Sequence, residues 1–318
     1  MRKAFSKVFK RTVAAERPEP RPLTWDFGHL PLPRVDGPVV RYLERNERGR
    51  DIVVGDVHGQ RETFECLLEK VRYSPAEGDR LLMLGDLIDR GPDSPGMLEW
   101  LRRDDVVCIR GNHEQLMLDA LTGSRMFEEL WMDSNGGAWA EGVDRSQFDE
   151  WQKLVQALPL ALEVEGAQGT FVLVHAEIPQ ETPWWAFRAW LEDAWQEDPQ
   201  LSRVELEQAR LKAPQWNARI IALWHRRRVW NKRRKDKGVP DVWRTFHGHT
   251  PLHSLMQLRN MRWIDLGAAY ANHRDDAALA CVPIGPDGKE QEPVVVKVLD
   301  VDPDQKGRPI KQWRGRWH

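Results

Sequence analysis

Residues 51–60 read DIVVGDVHGQ: an apolar run, a glycine, a carboxylate and an imidazole two residues apart, then a second glycine. Four residues with no polar alternation predict a strand covered on both faces, and the glycine marks its end. Taken alone, Asp56 and His58 read equally well as a turn carboxylate and a surface histidine. What decides the fold and the chemistry is whether other strand ends supply partners for them.

The same unit recurs along the chain. RLLML at 80–84 runs into GDLIDRGPDS at 85–94, and VVCI at 106–109 runs into GNHE at 111–114. FVLV at 171–174 delivers His175, and WRTF at 243–246 leads to His249. Further strands are expected at MRWIDL (261–266), ALACVPI (278–284) and VVVKVL (294–299). Early alternation of strand and helix, then strand after strand, predicts an α/β core closed by a more antiparallel C-terminal sheet. Loops beyond the carboxyl ends of such strands converge on one edge. Asp56, His58, Asp86, Asp89, Arg90, Asn112 and His113 would then be neighbours, joined by His175 and His249.

Each of these residues has a plainer reading by itself. Asp86 and Asp89 could cap a helix, and His175 could be a hydrogen-bonded core histidine. Arrival from five strand ends favours a joint role. Carboxylate, amide-oxygen and imidazole ligands together suit manganese, iron or zinc, and disfavour a thiolate zinc site or an all-oxygen calcium site. The ligands suffice for two cations, and one aspartate can bridge ions about 3.5–4 Å apart.

Composition sets the outer limits. The chain has 318 residues, 41% hydrophobic and 30% charged, which is the balance of a globular protein. A formal net charge of -2 gives no general attraction to nucleic acid. Three cysteines, Cys66, Cys108 and Cys281, stand far apart without a C-x-x-C pair, so a reducing compartment is expected. The basic N-terminus lacks the apolar stretch of a signal peptide, and no run reaches the length of a membrane span, so the expected location is the cytoplasm. A Pro-rich arm is expected over 1–48, a catalytic domain over 49–302 and a basic tail over 303–318. Within the domain, 180–240 reads as a helical, Trp-rich and basic insertion. In it Trp184, Phe187, Leu191 and Trp195 share a helical face, and Ser202 with Glu205 forms a capping box.

GDVHG, GDLIDRG, GNHE, a strand-terminal histidine and GHT together resemble the calcineurin-like metallophosphoesterases, in particular the phosphoprotein phosphatase branch with its bacterial and phage serine/threonine phosphatases. The resemblance spans about residues 50–285 and extends to NGG at 135–137, LWHR at 223–226 and IDLGAAY at 264–270. It implies a β-sandwich flanked by helices in four layers (αββα), with the metals at the sheet edge. It further implies that Asp56 and His58 hold one metal, that Asp86 bridges, and that Asn112, His175 and His249 complete the second. A hydroxide between the ions would attack phosphorus in line. Arg90 and Arg226 would grip the phosphoryl oxygens, and His113, held by Asp89, would protonate the leaving oxygen.

The function expected on this basis is hydrolysis of phosphoserine, phosphothreonine or phosphotyrosine in proteins, with two divalent cations, manganese first and iron or zinc as alternatives. A symmetrical dinucleoside tetraphosphate hydrolase carries the same motif set and is the alternative. A nucleic-acid or anionic-partner binding module is the alternative of another class, resting on the basic, Trp-bearing run WHRRRVWNKRRKDKG at 224–238. That run is otherwise expected as a solvated loop, or as a steering surface for anionic substrates. Glu177 stands where the resembled family usually has glycine and is expected to face solvent. Pro251 follows GHT as the phosphatase branch leads one to expect. His247 is expected to pack rather than to bind metal.

Overall fold

The computed structural model of the protein describes residues 30–193, 201–212, 214–231 and 236–309. In chain order its strands are β1 (Val40–Leu43), β2 (Asp51–Val54), β3 (Arg80–Met83), β4 (Val106–Cys108), β5 (Ala161–Val164), β6 (Phe171–Val174), β7 (Arg244–His247), β8 (Met256–Leu258), β9 (Met261–Trp263), β10 (Ala278–Ile284) and β11 (Val294–Lys297). The helices are α1 (Arg61–Val71), α2 (Ser94–Glu99), α3 (Asn112–Ala120), α4 (Arg125–Met132), α5 (Arg145–Gln156), α6 (Trp184–Glu192), α7 (Arg203–Lys212), α8 (Pro214–Trp224), α9 (Arg227–Asn231) and α10 (Val298–Val301).

The strands form two sheets, ordered β1-β5-β6-β7-β9-β8 and β11-β10-β2-β3-β4. DIVV is buried along its whole length because it lies inside the second sheet, parallel to β3 and antiparallel to β10. Alternate residues separate the two faces of that sheet. Val53, Leu82 and Val107 meet Leu162, Leu173 and Phe246 of the other sheet, forming the layer between them. Ile52, Leu81 and Cys108 turn the other way, onto Phe64, Leu116 and Trp131 of the helices. On the far face of the first sheet, Val172 and Trp263 pack with Phe187, Leu191 and Ile221 of α6 and α8. Helices, sheet, sheet, helices is the four-layer arrangement that the motifs implied.

Several elements differ from the reading of the sequence. The late strands do not make one antiparallel sheet: β7 and β9 run parallel beside β6, whereas β10 and β11 close the other sheet. Order along the chain does not encode which layer a strand joins; here β10 pairs antiparallel with β2 and is buried along its whole length. Strand β1 lies within the expected Pro-rich arm and belongs to the folded domain instead, because its register comes from pairing with β5, a partner more than a hundred residues away. Strands β5 and β8 were also missed, and VVVKVL is a strand only to Lys297 before turning into α10.

The insertion follows its pattern more closely. Trp184, Phe187 and Leu191 are buried on α6, while Trp195 lies outside the described residues. Ser202 and Glu205 form the expected reciprocal cap, Ser202 N donating to Glu205 Oε2 at 2.9 Å. At the other end of the domain, Gln305 is buried and exchanges amide hydrogen bonds of 2.8 Å with Gln60, so the first residues of the expected tail pack behind the GDVHG loop. Among the described residues no helix is long and apolar enough to cross a membrane.

Phe246 sits fully buried between the sheets, edge-on to Phe171 at 6.1 Å. Phe246→Ala should lower unfolding free energy by about 3–5 kcal/mol, read as a fall in the urea midpoint at unchanged slope. An unchanged midpoint would contradict the packing assigned to this layer.

Candidate metal centre and active site

The loops that leave β2, β3, β4, β6 and β7 are laced together by backbone hydrogen bonds. Val57 N and His58 N both donate to Asp86 O, at 3.1 and 2.8 Å, and Gly248 N donates to His175 O at 2.8 Å. His58, Asp86, Asp89, Arg90 and His249 all adopt positive φ, between 48° and 75°. Non-glycine residues adopt that region at a cost in strain, and it clusters at sites whose surroundings dictate the backbone. Gly248 is needed for a different reason: a Cβ there would lie 1.9 Å from Asp56 Oδ1.

Three buried imidazoles follow one rule. His58 Nδ1 pairs with Ile88 O at 3.0 Å, His175 Nδ1 with Leu84 O at 2.7 Å and His249 Nε2 with Trp224 O at 3.1 Å. A ring nitrogen hydrogen-bonded to a carbonyl oxygen must carry a proton, so in the neutral ring it is the other nitrogen that offers a lone pair. Those remaining nitrogens converge on oxygen atoms. His58 Nε2 lies 3.5 Å from Asp86 Oδ2, and His175 Nε2 lies 3.4 Å from Asp86 Oδ1. Asn112 Oδ1 lies 3.0 Å from His175 Nε2 and 2.7 Å from His249 Nδ1.

Asp86 therefore stands between two clusters, one with His58 and His113 and the other with His175 and His249, the candidate ligand atoms of each lying within 4.8 Å of one another. Asp56 completes the picture: Oδ2 accepts from His249 N at 2.7 Å, while Oδ1 is buried with no hydrogen-bond partner. A buried carboxylate oxygen with no donor fits a divalent cation, although Asp56 itself stands outside both clusters. Electrostatics point the same way. Burial holds His58 and His249 well below the ordinary imidazole value, in the neutral form that can bind metal. Burial opposes charge on Asp86 and on His175, but their mutual attraction outweighs it, keeping Asp86 ionised and raising His175 to about 9, so His175 carries a second proton that a cation would displace.

His113 enters through the first turn of α3, its backbone N donating to Asp86 Oδ1 at 2.9 Å. Its Nδ1 is 2.6 Å from Asp89 Oδ2, and the same carboxylate accepts from Trp131 Nε1 at 2.9 Å and Trp139 Nε1 at 2.7 Å. Burial disfavours charge on both partners, raising Asp89 to about 8 and lowering His113 to about 3, while the two indoles and Arg90 favour the carboxylate. Arg90 reaches Asn135 Oδ1 at 3.4 Å and lies over the Tyr270 ring at 5.4 Å, which accounts for the NGG and IDLGAAY motifs beside it. Arg226 Nη2 donates to His249 O at 3.0 Å, and its Nε is buried without a partner. A cavity of about 560 Å³ is lined by His58, Asp86, Asn112, His113 and His249 together with Arg90 and Arg226.

The expected site residues are thus gathered at one edge of the two-sheet sandwich, with Asp56, Asp89 and His175 beneath the cavity surface. His247 packs as expected, with Nδ1 on Val174 O, Nε2 beside Thr245 Oγ1 and its ring stacked on Trp263. Glu177 corrects an expectation. It is buried, accepting from Arg228 N at 2.8 Å and pairing with His225 Nδ1, because the insertion folds back over the loop that follows His175. Other participants were not picked out from the sequence. Glu114, the last letter of GNHE, accepts from the backbone N of Asp86, Leu87 and Gly111 at 2.7–2.9 Å and so fastens two ligand loops together. Asp265 lines the cavity and is raised to about 6 by burial. Its place in a motif beside Tyr270 was the available signal.

A family model described as calcineurin-like phosphoesterase matches residues 50–270. Serine/threonine-protein phosphatase 1 of Salmonella typhimurium is 36% identical over 221 residues, covering 69% of this chain and 86% of that protein. A symmetrical bis(5'-nucleosyl)-tetraphosphatase of Pseudomonas fluorescens is 35% identical over 138 residues, covering 42% of this chain and 44% of that protein. Among solved structures, a serine/threonine phosphatase from Saccharomyces cerevisiae matches the fold with a TM-score of 0.51 at 16% identity, over 82% of this chain and 83% of that one.

If Asn112 and His249 belong to one of two cation positions, Asn112→Ala and His249→Ala should each lower bound manganese from about two ions per chain to about one, by elemental analysis after desalting. Two retained ions in both variants would count against this ligand set.

Proposed function

We propose that this chain, which belongs to the calcineurin-like phosphoesterase family, is a phosphomonoesterase acting on phosphorylated serine and threonine side chains of proteins. Membership makes it a metal-dependent hydrolase and implies a dinuclear divalent centre. In this reading Asp56, His58 and Asp86 would hold one cation and Asp86, Asn112, His175 and His249 the other, with manganese as the expected ion and iron or zinc as alternatives. Such a pair supplies Lewis-acid polarisation of a phosphoryl oxygen and a water acidic enough to act as nucleophile near neutral pH.

The remaining work falls to the protein's own side chains. Arg226, with its buried Nε unpartnered, and Arg90, braced by Tyr270 and Asn135, offer planar donor forks to the nonbridging oxygens. Asp89 fixes the His113 ring through Nδ1, which leaves the other nitrogen to pass a proton to the departing oxygen. Burial, with the positive charge of Arg90 and Arg226 nearby, keeps His113 neutral, and a dianionic phosphoryl group in the cavity would favour the imidazolium. No phosphorylated enzyme is required. The observation that carries the reading is the convergence of two arginines and the His113–Asp89 pair on one cavity with the candidate metal ligands.

A second reading, a symmetrical dinucleoside tetraphosphate hydrolase, draws support from the tetraphosphatase relatives, whose similarity spans less of the chain. Manganese-loaded protein should release phosphate from a phosphoserine or phosphothreonine peptide and lose that activity in EDTA. Faster turnover of diadenosine tetraphosphate than of either peptide would transfer the assignment to the second reading. His113→Asn should slow a phosphoserine peptide about a hundredfold, but p-nitrophenyl phosphate, whose leaving group needs no proton, only about tenfold. Equal losses on the two substrates would argue against an acid at this position.

A further inference from the structure

The basic run after Trp224 is fastened to the interior by a group of charges outside the set described above. Glu177, 1% exposed, lies two residues beyond His175 on the loop leaving β6. One oxygen pairs with His225 Nδ1, and the other accepts Arg228 N at 2.8 Å. Arg228, 2% exposed, forms a bidentate pair with Asp236 at 3.0 and 2.8 Å, donates to Ile178 O at 2.9 Å and to Gly238 O at 3.0 Å. Gln180 Nε2 also reaches Asp236, at 3.1 Å.

Arg226 stands between the two residues that Glu177 holds. Its neighbours on either side, His225 and Arg227, line the same cavity, with Trp230 and Asn231 farther along α9. Pinning a side chain before Arg226 and a backbone N–H after it removes the freedom of the peptide that carries the guanidinium. A buried carboxylate is costly unless its oxygens are satisfied, so the cost of burying Glu177 is met only when 225–228 adopts this conformation.

We propose that Glu177 is a positioning residue for Arg226, acting with Arg228 and Asp236 to hold the segment His225–Asn231 against the phosphoryl-binding cavity. The inference rests on the phosphatase reading and assigns a role to a carboxylate where the resembled family usually has glycine. A carboxylate near two cations would otherwise compete with substrate; tied to His225 and to Arg228 N, it serves a neighbouring arginine instead. Interactions of this kind act through preorganisation: an arginine already aimed loses less freedom on binding.

The test is a double-mutant cycle on full-length, manganese-loaded protein with p-nitrophenyl phosphate, using Glu177→Ala, Glu177→Gly, Glu177→Gln, Arg226→Ala and the Glu177→Ala/Arg226→Ala double variant. Glu177→Ala and Glu177→Gly should each lower kcat/KM about tenfold, mainly through KM, with two metal ions per chain retained. Glu177→Gln, which keeps an acceptor for Arg228 N, should recover to within about threefold of the unmutated protein. In the Arg226→Ala background, Glu177→Ala should cost less than about twofold more. A full tenfold additional loss there would overturn the inference, as would a fall in metal content that traces the effect to His175 instead. Glycine is accommodated at this position in the resembled family, so Glu177→Gly keeps the test open if the alanine variant does not fold, and unchanged kinetics in Glu177→Gly would also overturn the inference. If Arg226→Ala leaves KM and kcat unchanged, the phosphoryl-binding role of Arg226 fails first, a separate result.

Discussion

A carboxylate buried between histidines from two different strands is unstable unless positive charge reaches it, and Asp86 is buried in that way, between His58 and His175. Its neighbourhood is organised around that requirement. Glu114 fixes the Asp86 backbone, His113 N donates to its side chain, and carbonyl partners on Nδ1 of His58 and His175 turn the remaining nitrogens toward it. These partners come from the segments after β2, β4 and β6, and because β6 belongs to the other sheet, the two sheets must be in register before the arrangement is complete. Packing of the inter-sheet layer and assembly of the site are therefore one event: Phe246 fills the layer three residues before His249 enters the site.

Buried charge is a liability where partners are imperfect, and this site concentrates it. Asp56, Asp86 and Asp265 are all buried near one another, and burial together with mutual repulsion raises Asp56 well above the ordinary carboxylate value. Divalent cations would relieve that repulsion, so binding them and stabilising the fold are linked. The Asp89–His113 pair follows a different plan. Two indole donors, Trp131 and Trp139, anchor Asp89 from behind, while Asp86 accepts from the His113 backbone N. Indoles donate without adding charge, so they fix the ring's orientation and leave its proton to be set by what enters the cavity.

The chemistry was more legible in the sequence than the topology, for a physical reason. Asp56, His58, Asp86, Asn112 and His113 lie at strand ends beside glycines that close backbone approach requires, so function left a local trace, as with Gly248 against Asp56. Sheet membership leaves none. Strand β1, with two exposed residues of four, becomes a strand only because β5 lies beside it, and β10 joins the β2 sheet through a partner set by long-range pairing. Burial of polar residues was hidden for the same reason. Glu177 looked like a solvent-facing substitution because its partners, His225 and Arg228, lie about fifty residues away.

The run from Arg226 to Arg228 shows how far composition can mislead. Three consecutive arginines read as a solvated basic face, yet they divide by environment: Arg226 faces the cavity with His249 O as partner, Arg227 lines the rim, and Arg228 is buried against Asp236. Arg226 precedes α9, whereas Arg227 and Arg228 open it, where neighbouring residues point about 100° apart, so side chains of one type are sent to three surroundings. A buried ion pair of this kind contributes little net stability but fixes one arrangement strictly, since any other leaves a charge unpaired. That is the property an arginine aimed at a phosphoryl group needs from the segment carrying it. The same residue type thus closes a buried ion pair at one position and lines the cavity two residues earlier.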